Sequence, residues 1–243
     1  LPTDLNFDAK TVRKQIADNG IDVRLSINIP TEWHLPFYPQ VATDNLKKVV
    51  DLAAEVGSDF LGGVLHSAIG TFTGQPLTEK EKSDVYAVFN EVAQYAKQQN
   101  IIIAPEAINR YESYVFTSYS EILDMIKTLG LDNIGFHLDT FHANIEEAGI
   151  DKAVLNSGKY LKHVHLTESD RGMLGEGNID WDKFFQALAD INYQGPLVLE
   201  NFSSSISELV GPTSLWRKSK YNSEDLAKGS LAFMKEMVNK WYK

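Results

Sequence analysis

The chain has 243 residues, with 23 basic against 33 acidic side chains for a formal charge of −10, and no cysteine. Without cysteine there are no disulfides, thiolate nucleophiles or sulfur-ligated metals. An acidic chain with no basic cluster repels phosphate backbones, which excludes nucleic acid as the expected partner, and no run approaches the eighteen or so apolar residues of a membrane span.

The amino end LPTDLNFDAK lacks a basic-then-apolar leader pattern, so a soluble, cytoplasmic protein is expected. Its first residue is Leu1 rather than methionine, which implies processing or truncation of a longer product. Ala9, Val12 and Ile16 then fall at helical spacing, and Gly20 supplies a left-handed stop. IDVRLSINI reads as a strand. Leu46, Val49, Val50 and Ala53 line the next helix, which ends at Gly57, and FLGGVLH is the strand after it. Thr78 and Glu81 form a capping box for a helix carrying Val85, Val88, Phe89, Val92 and Ala96, followed by the strand IIIAPE. A fourth helix holds Ile122, Met125, Ile126 and Leu129, stops at Gly130 and leads to IGFHLD. The segment NIEEAGIDKAVLNS reads as one helix that Asn144 and Glu147 could cap, and LKHVHLT as a strand. Trp181, Phe184, Phe185 and Leu188 line a sixth helix before the strand LVLENF, and a last helix spans 223–241. Short apolar strands separated by helices imply an α/β protein with parallel strands covered on both faces. No linker interrupts residues 1–243, so a single domain is expected.

Four polar residues close these strands: Glu106, Asp139, His165 and Glu200, at intervals of 33, 26 and 35 residues. Each interval is about one strand plus one helix, so in a parallel barrel all four reach one rim. A strand-end acid is commonly a helix cap or a salt-bridge partner, but independent caps have no reason to end successive strands. Three carboxylates at one rim would repel each other unless a cation sat among them. Three carboxylates and one imidazole form a hard, oxygen-rich set that suits manganese, magnesium or cobalt better than closed tetrahedral zinc. By period two, His137 lies on the side of Asp139, as a core histidine beneath the ligand. His163 stands in the same relation to His165 and would orient it from behind. His142 lies past the strand, in the loop over the rim, where it can touch a ligand.

The stretches PEAINRYESYVFTS (105–118), HLDTFHANIEE (137–147), HVHLTESDRGMLGEGNIDW (163–181) and LVLENF, with the later LWR (215–217), closely resemble the ketose 3-epimerases of the D-tagatose 3-epimerase and D-allulose (D-psicose) 3-epimerase type. These belong to the xylose-isomerase-like superfamily of (β/α)8 TIM barrels, and the likeness runs from about Leu5 to the carboxyl end. The resemblance implies metal ligation by Glu106, Asp139, His165 and Glu200, and substrate contacts from Glu112, His142 and Arg171. His66 matches a histidine in the family's corresponding strand, which makes it a further candidate substrate contact, with packing or support of a ligand as the equal alternative. Mn2+ is the implied ion, with Mg2+ or Co2+ compatible, and no redox cofactor is required.

The chemistry implied is proton transfer at C3 of a ketose through a cis-enediolate. Glu106 and Glu200 would serve as the two bases on opposite faces, with Arg171 and His142 at the C1 and C2 end and Glu112 on the oxygen that turns over. The family also implies self-association as a dimer or tetramer. Its first strand, first helix and second strand have no counterpart ahead of LPTDLNF, so an amino-terminally incomplete barrel of six strands is expected. Alternatives within the superfamily are an aldose–ketose or hydroxypyruvate isomerase and a non-catalytic sugar-binding relative. The metal-dependent endonuclease branch is disfavoured by its richer histidine set and by the acidic charge here.

Overall fold

The structure, a computed structural model, describes residues 1–242. The chain divides into two compact units, residues 1–137 and a second from Leu138 onward.

In the first unit, α1 (Ala9–Asn19) is capped by Asp8, whose carboxyl accepts the Thr11 N–H at 3.0 Å, and is closed by Gly20 at φ 60°. β1 (Leu25–Ser26) and a 3-10 turn at Thr31–Trp33 lead to α2 (Pro39–Val56). Proline in that first turn sacrifices only an amide with no intrahelical acceptor. The predicted stripe Leu46, Val49, Val50 and Ala53 is buried. β2 (Phe60–Gly63) is followed by α3 (Glu79–Lys97), whose Thr78–Glu81 capping box forms as predicted, and by β3 (Ile102–Pro105) and α4 (Tyr119–Leu129). The strands run in parallel in the order β1-β2-β3, with Leu25 opposite Leu61 and Gly63 opposite Pro105. Parallel bridges from Ile103 to Ile134 and from Glu106 to His137 extend the pairing to the start of β4 (Phe136–Asp139).

The strand expected over 21–29 is regular only at Leu25–Ser26. Beyond it the Ile27 and Ile29 amides still donate to the carbonyls of Gly62 and Val64, at 3.2 and 3.3 Å. Regularity is lost where Gly63 turns to φ 98° against this segment; a Cβ there would meet the Ile27 carbonyl at 2.5 Å. Only glycine permits both the turn and the approach.

In the second unit, α5 (Thr140–Glu146), α6 (Ile150–Ser157) and a 3-10 turn precede β5 (Leu161–Leu166). The single helix expected over 144–157 is thus two, and Asn144 and Glu147 cap the start of neither; Glu147 instead ends α5, its N–H donating to the Ala143 carbonyl at 2.9 Å. Asp139 already caps a helix that starts at Thr140, which leaves Asn144 in its interior, and Gly149 opens α6 without a side-chain cap. α7 (Trp181–Asp190), β6 (Leu197–Leu199), the short α8 (Ser207–Thr213) and α9 (Ser223–Trp241) complete the unit. β5 and β6 pair in parallel, His165 opposite Val198, within the order β4-β5-β6. On α7, Trp181, Phe184, Phe185 and Leu188 are all buried, each contributing about 1.5–3 kcal/mol over exposure. Phe233 of α9 meets the Trp181 ring edge-on at 5.8 Å.

Candidate active site

In the first unit Glu106 follows β3 directly, and its backbone is fixed on both sides. Its N–H donates to the Gly63 carbonyl at 2.9 Å, and its carbonyl lies 2.9 Å from Nε2 of His66. A carbonyl only accepts, so the His66 proton sits on Nε2. His66 is fully buried against Phe116, and burial pushes its pKa down to about 3, so the ring is neutral. His137 Nδ1 lies 3.4 Å from Glu106 Oε2, in the buried position expected of it. Glu112 sits in the following loop, its carboxyl accepting from Asn109 Nδ2 at 2.9 Å and its carbonyl from Gly70 N–H at 2.8 Å.

In the second unit Asp139, the last residue of β4, is completely buried. One oxygen accepts the amides of Phe141 (2.8 Å) and His142 (3.1 Å), and the other accepts the Thr167 hydroxyl. Burial, then the charge of Glu200, raises the Asp139 pKa, against opposing effects of His142, His165 and Arg171. Glu200 moves the other way. Burial opposes its ionisation, but the hydrogen bond and charge of His165, together with Arg171 and His142, outweigh it and lower the pKa. His165 Nδ1 lies 3.2 Å from Glu200 Oε1, and an Arg171 Nη1–H donates to Glu200 Oε2 at 2.9 Å. The His163 and His165 rings meet edge-on at 5.1 Å.

One expectation changes here. His142 belongs to the first turn of α5 rather than a loop, because the Asp139 cap starts the helix at Thr140; it is buried, and desolvation lowers its pKa to about 4. Arg171 is buried: it is 7% exposed, and its guanidinium carbon lies 4.1 Å from the Phe141 ring centroid and 4.9 Å from that of Phe202. Its φ of 57° is rare for a side chain of this size.

The second unit therefore gathers Asp139, His142, His165, Arg171 and Glu200, and the first holds Glu106 with His66 and His137. Pattern reading missed several supports. Thr167 and Phe141 act through Asp139 and Arg171, and Asn109 through Glu112. His34 is buried with Nδ1 accepting Ala68 N–H at 3.1 Å. Glu168 was visible only as an acid in the loop after β5. Asp139, His165 and Glu200, all in the second unit, are carboxylate oxygens and an imidazole nitrogen, donor types that hard divalent cations accept.

The family described as "Xylose isomerase-like TIM barrel" matches residues 2–237, and the chain belongs to it. Its relatives are isomerase-class enzymes. The ketose 3-epimerase of Arthrobacter globiformis is 32% identical, over 96% of this chain and 82% of the relative. The L-ribulose 3-epimerase of Methylomonas sp. (strain DH-1) is 38% identical, over 79% of this chain and 67% of the relative. Among solved structures, an L-ribulose 3-epimerase superposes with a TM-score of 0.92 at 32% identity, covering 98% of this chain and 82% of that one. The D-allulose 3-epimerase of Methylomonas sp. in complex with D-allulose gives 0.89 at 32% identity, over 95% and 82%. The chain is thus an isomerase-class enzyme with the α/β barrel fold expected for it.

Proposed function

We propose that the protein is a divalent-metal-dependent ketose 3-epimerase that interconverts C3 epimers of free ketoses, of the D-fructose/D-allulose or D-tagatose/D-sorbose type. The observation that carries this is the set Asp139, His165 and Glu200 with Arg171 on Glu200. The names of the relatives support the same reaction. In barrels of this fold the carboxyl ends of the strands share the catalytic face. Glu106 follows β3 as Glu200 follows β6, so Glu106 is the proposed fourth ligand and second base.

Glu106, Asp139, His165 and Glu200 would hold Mn2+, with Mg2+ or Co2+ able to replace it. When bound, the ion supplies Lewis acidity that lowers the cost of negative charge at the ketose oxygens. One glutamate takes the C3 proton from one face of the sugar, and the other delivers a proton to the opposite face. Two bases are needed because one base returning its own proton regenerates the starting epimer. Arg171 and His142 hold the C1 and C2 end, Glu112 binds the oxygen on the inverting carbon, and His66 fixes the Glu106 backbone. The protein works in the cytoplasm as a dimer or tetramer, with no nucleic-acid or membrane partner.

The test is to strip the protein with a chelator, restore Mn2+ and follow D-fructose, D-tagatose and their aldose isomers by chromatography. Metal-dependent appearance of D-allulose from D-fructose, or of D-sorbose from D-tagatose, is expected. Aldose products alone, or ketose binding by calorimetry without turnover, would overturn the proposal.

A further inference from the structure

The loop from Thr167 to Asp180, between β5 and α7, carries Arg171 and with it one of the two side chains that hold Glu200. Glu168, at its start, is completely buried, and among the described residues it belongs to no ion pair. An acid side chain buried without a cation costs several kcal/mol unless its acceptors are used. They are. Oε1 accepts the Ser169 amide at 2.8 Å, and Oε2 accepts the Gly175 amide at 2.9 Å and the Trp181 indole N–H at 2.8 Å. One carboxyl group thereby ties the beginning, middle and end of the loop together.

The far end of this tie is packed into the core, where Trp181 is buried among Phe184, Phe185 and Phe233. Its near end reaches Arg171 directly: the Glu168 carbonyl accepts the Arg171 amide at 2.8 Å, across the turn in which Arg171 takes φ 57°. Gly177 closes the packing from another side, since a Cβ there would run into the Glu168 carboxyl. Asn201, next to Glu200, donates from its side chain to the Arg171 carbonyl.

We infer that Glu168 is a positioning residue, whose buried carboxyl group holds Arg171 in its left-handed turn so that the guanidinium meets Glu200. This rests on the function proposed above. Merely structural loop packing would not require the effect of losing Glu168 to pass through Arg171, and that separates the two roles.

The test is a double-mutant cycle on the metal-loaded protein with D-fructose. In Glu168→Gln an NH2 group replaces one acceptor oxygen and confronts an N–H donor. The expected result is a fall in kcat/KM of at least tenfold, and no more than about a threefold further loss when the same change is made in Arg171→Ala. Gly177→Ala, which displaces the carboxyl from the opposite side, and Trp181→Phe, which removes one donor, should show the same dependence on Arg171; they carry the test if Glu168→Gln does not fold. Amide hydrogen exchange over 168–177 reads the tie without turnover and should accelerate in Glu168→Gln while α7 stays protected. Unchanged kcat/KM, or an equal loss with and without Arg171, would overturn the inference. Wild-type protein that turns over no ketose would overturn the proposed function instead, and the exchange result would still decide whether Glu168 holds the loop.

Discussion

Glu106 is held through its backbone, whereas Glu200 is held through its side chain. Around Glu106 the sheet does the work: β3 pairs with β2 over four residues, and both the N–H and the carbonyl of Glu106 are engaged, by Gly63 and His66. Around Glu200 the strand is three residues long, and the carboxyl is placed by His165 and Arg171, the latter on a loop. The Glu106 side chain is 6% exposed and that of Glu200 22%. Two groups proposed for the same chemistry thus differ in what can disturb them. A fault in the sheet should unsettle the first, and a fault in one loop the second.

Removing either base should have the largest effect. Glu106→Gln and Glu200→Gln are each expected to lower kcat by about 10²–10⁴-fold in steady-state assays with D-fructose, and a variant retaining most of its activity would remove that residue from the role. The contrast is sharpened one step outward. Arg171→Lys should cost about 10–100-fold in kcat/KM, because an ammonium cannot replace a guanidinium held between two rings, while His66→Asn should cost less than tenfold. The reverse order would break the comparison.

Asp139→Asn keeps a competent helix cap for α5 but removes an acid whose burial opposes ionisation. Its metal-free melting temperature should equal or exceed that of the wild type, while the upward shift on adding Mn2+ should shrink by several degrees. A full metal-induced shift in the variant would exclude Asp139 as a ligand.

The smallest effect concerns acid stability. His66 and His142 are neutral in the fold, with pKa values lowered by burial to about 3 and about 4, against about 6.5 unfolded. The unfolded chain binds more protons in that window, so their contribution is complete above about pH 6.5 and is lost as pH falls toward 4. For His142 alone this is on the order of 3 kcal/mol. Urea midpoints should therefore decline between pH 7 and 4.5, less steeply in His142→Asn; an equal slope would show that burial does not set its proton affinity.

Most of the architecture is legible in the sequence because it rests on periodicity and punctuation. The α2 and α7 stripes, the Thr78–Glu81 box and the stops at Gly20, Gly57 and Gly130 depend on residues a few positions apart. The splitting of residues 144–157 into two helices was hidden, because Asp139 was read for its chemistry and not as a cap. α8 was hidden too: its seven residues bury nothing, so there is no apolar period to read. In the candidate site, strand-end acids and His165 stand out by their equal place in each repeat. Arg171 and Glu168 do not, since an arginine between two rings and a carboxyl gathering N–H donors from one, seven and thirteen residues downstream leave no local pattern.

The central claim is that a proton moves at C3. D-Fructose incubated in D2O with the Mn2+-loaded protein and followed by NMR tests it directly. D-Allulose carrying deuterium at C3 is the expected product, with C1 retaining protium. Deuterium at C1 or C2 in an aldose, or epimer formed without deuterium at C3, would contradict it.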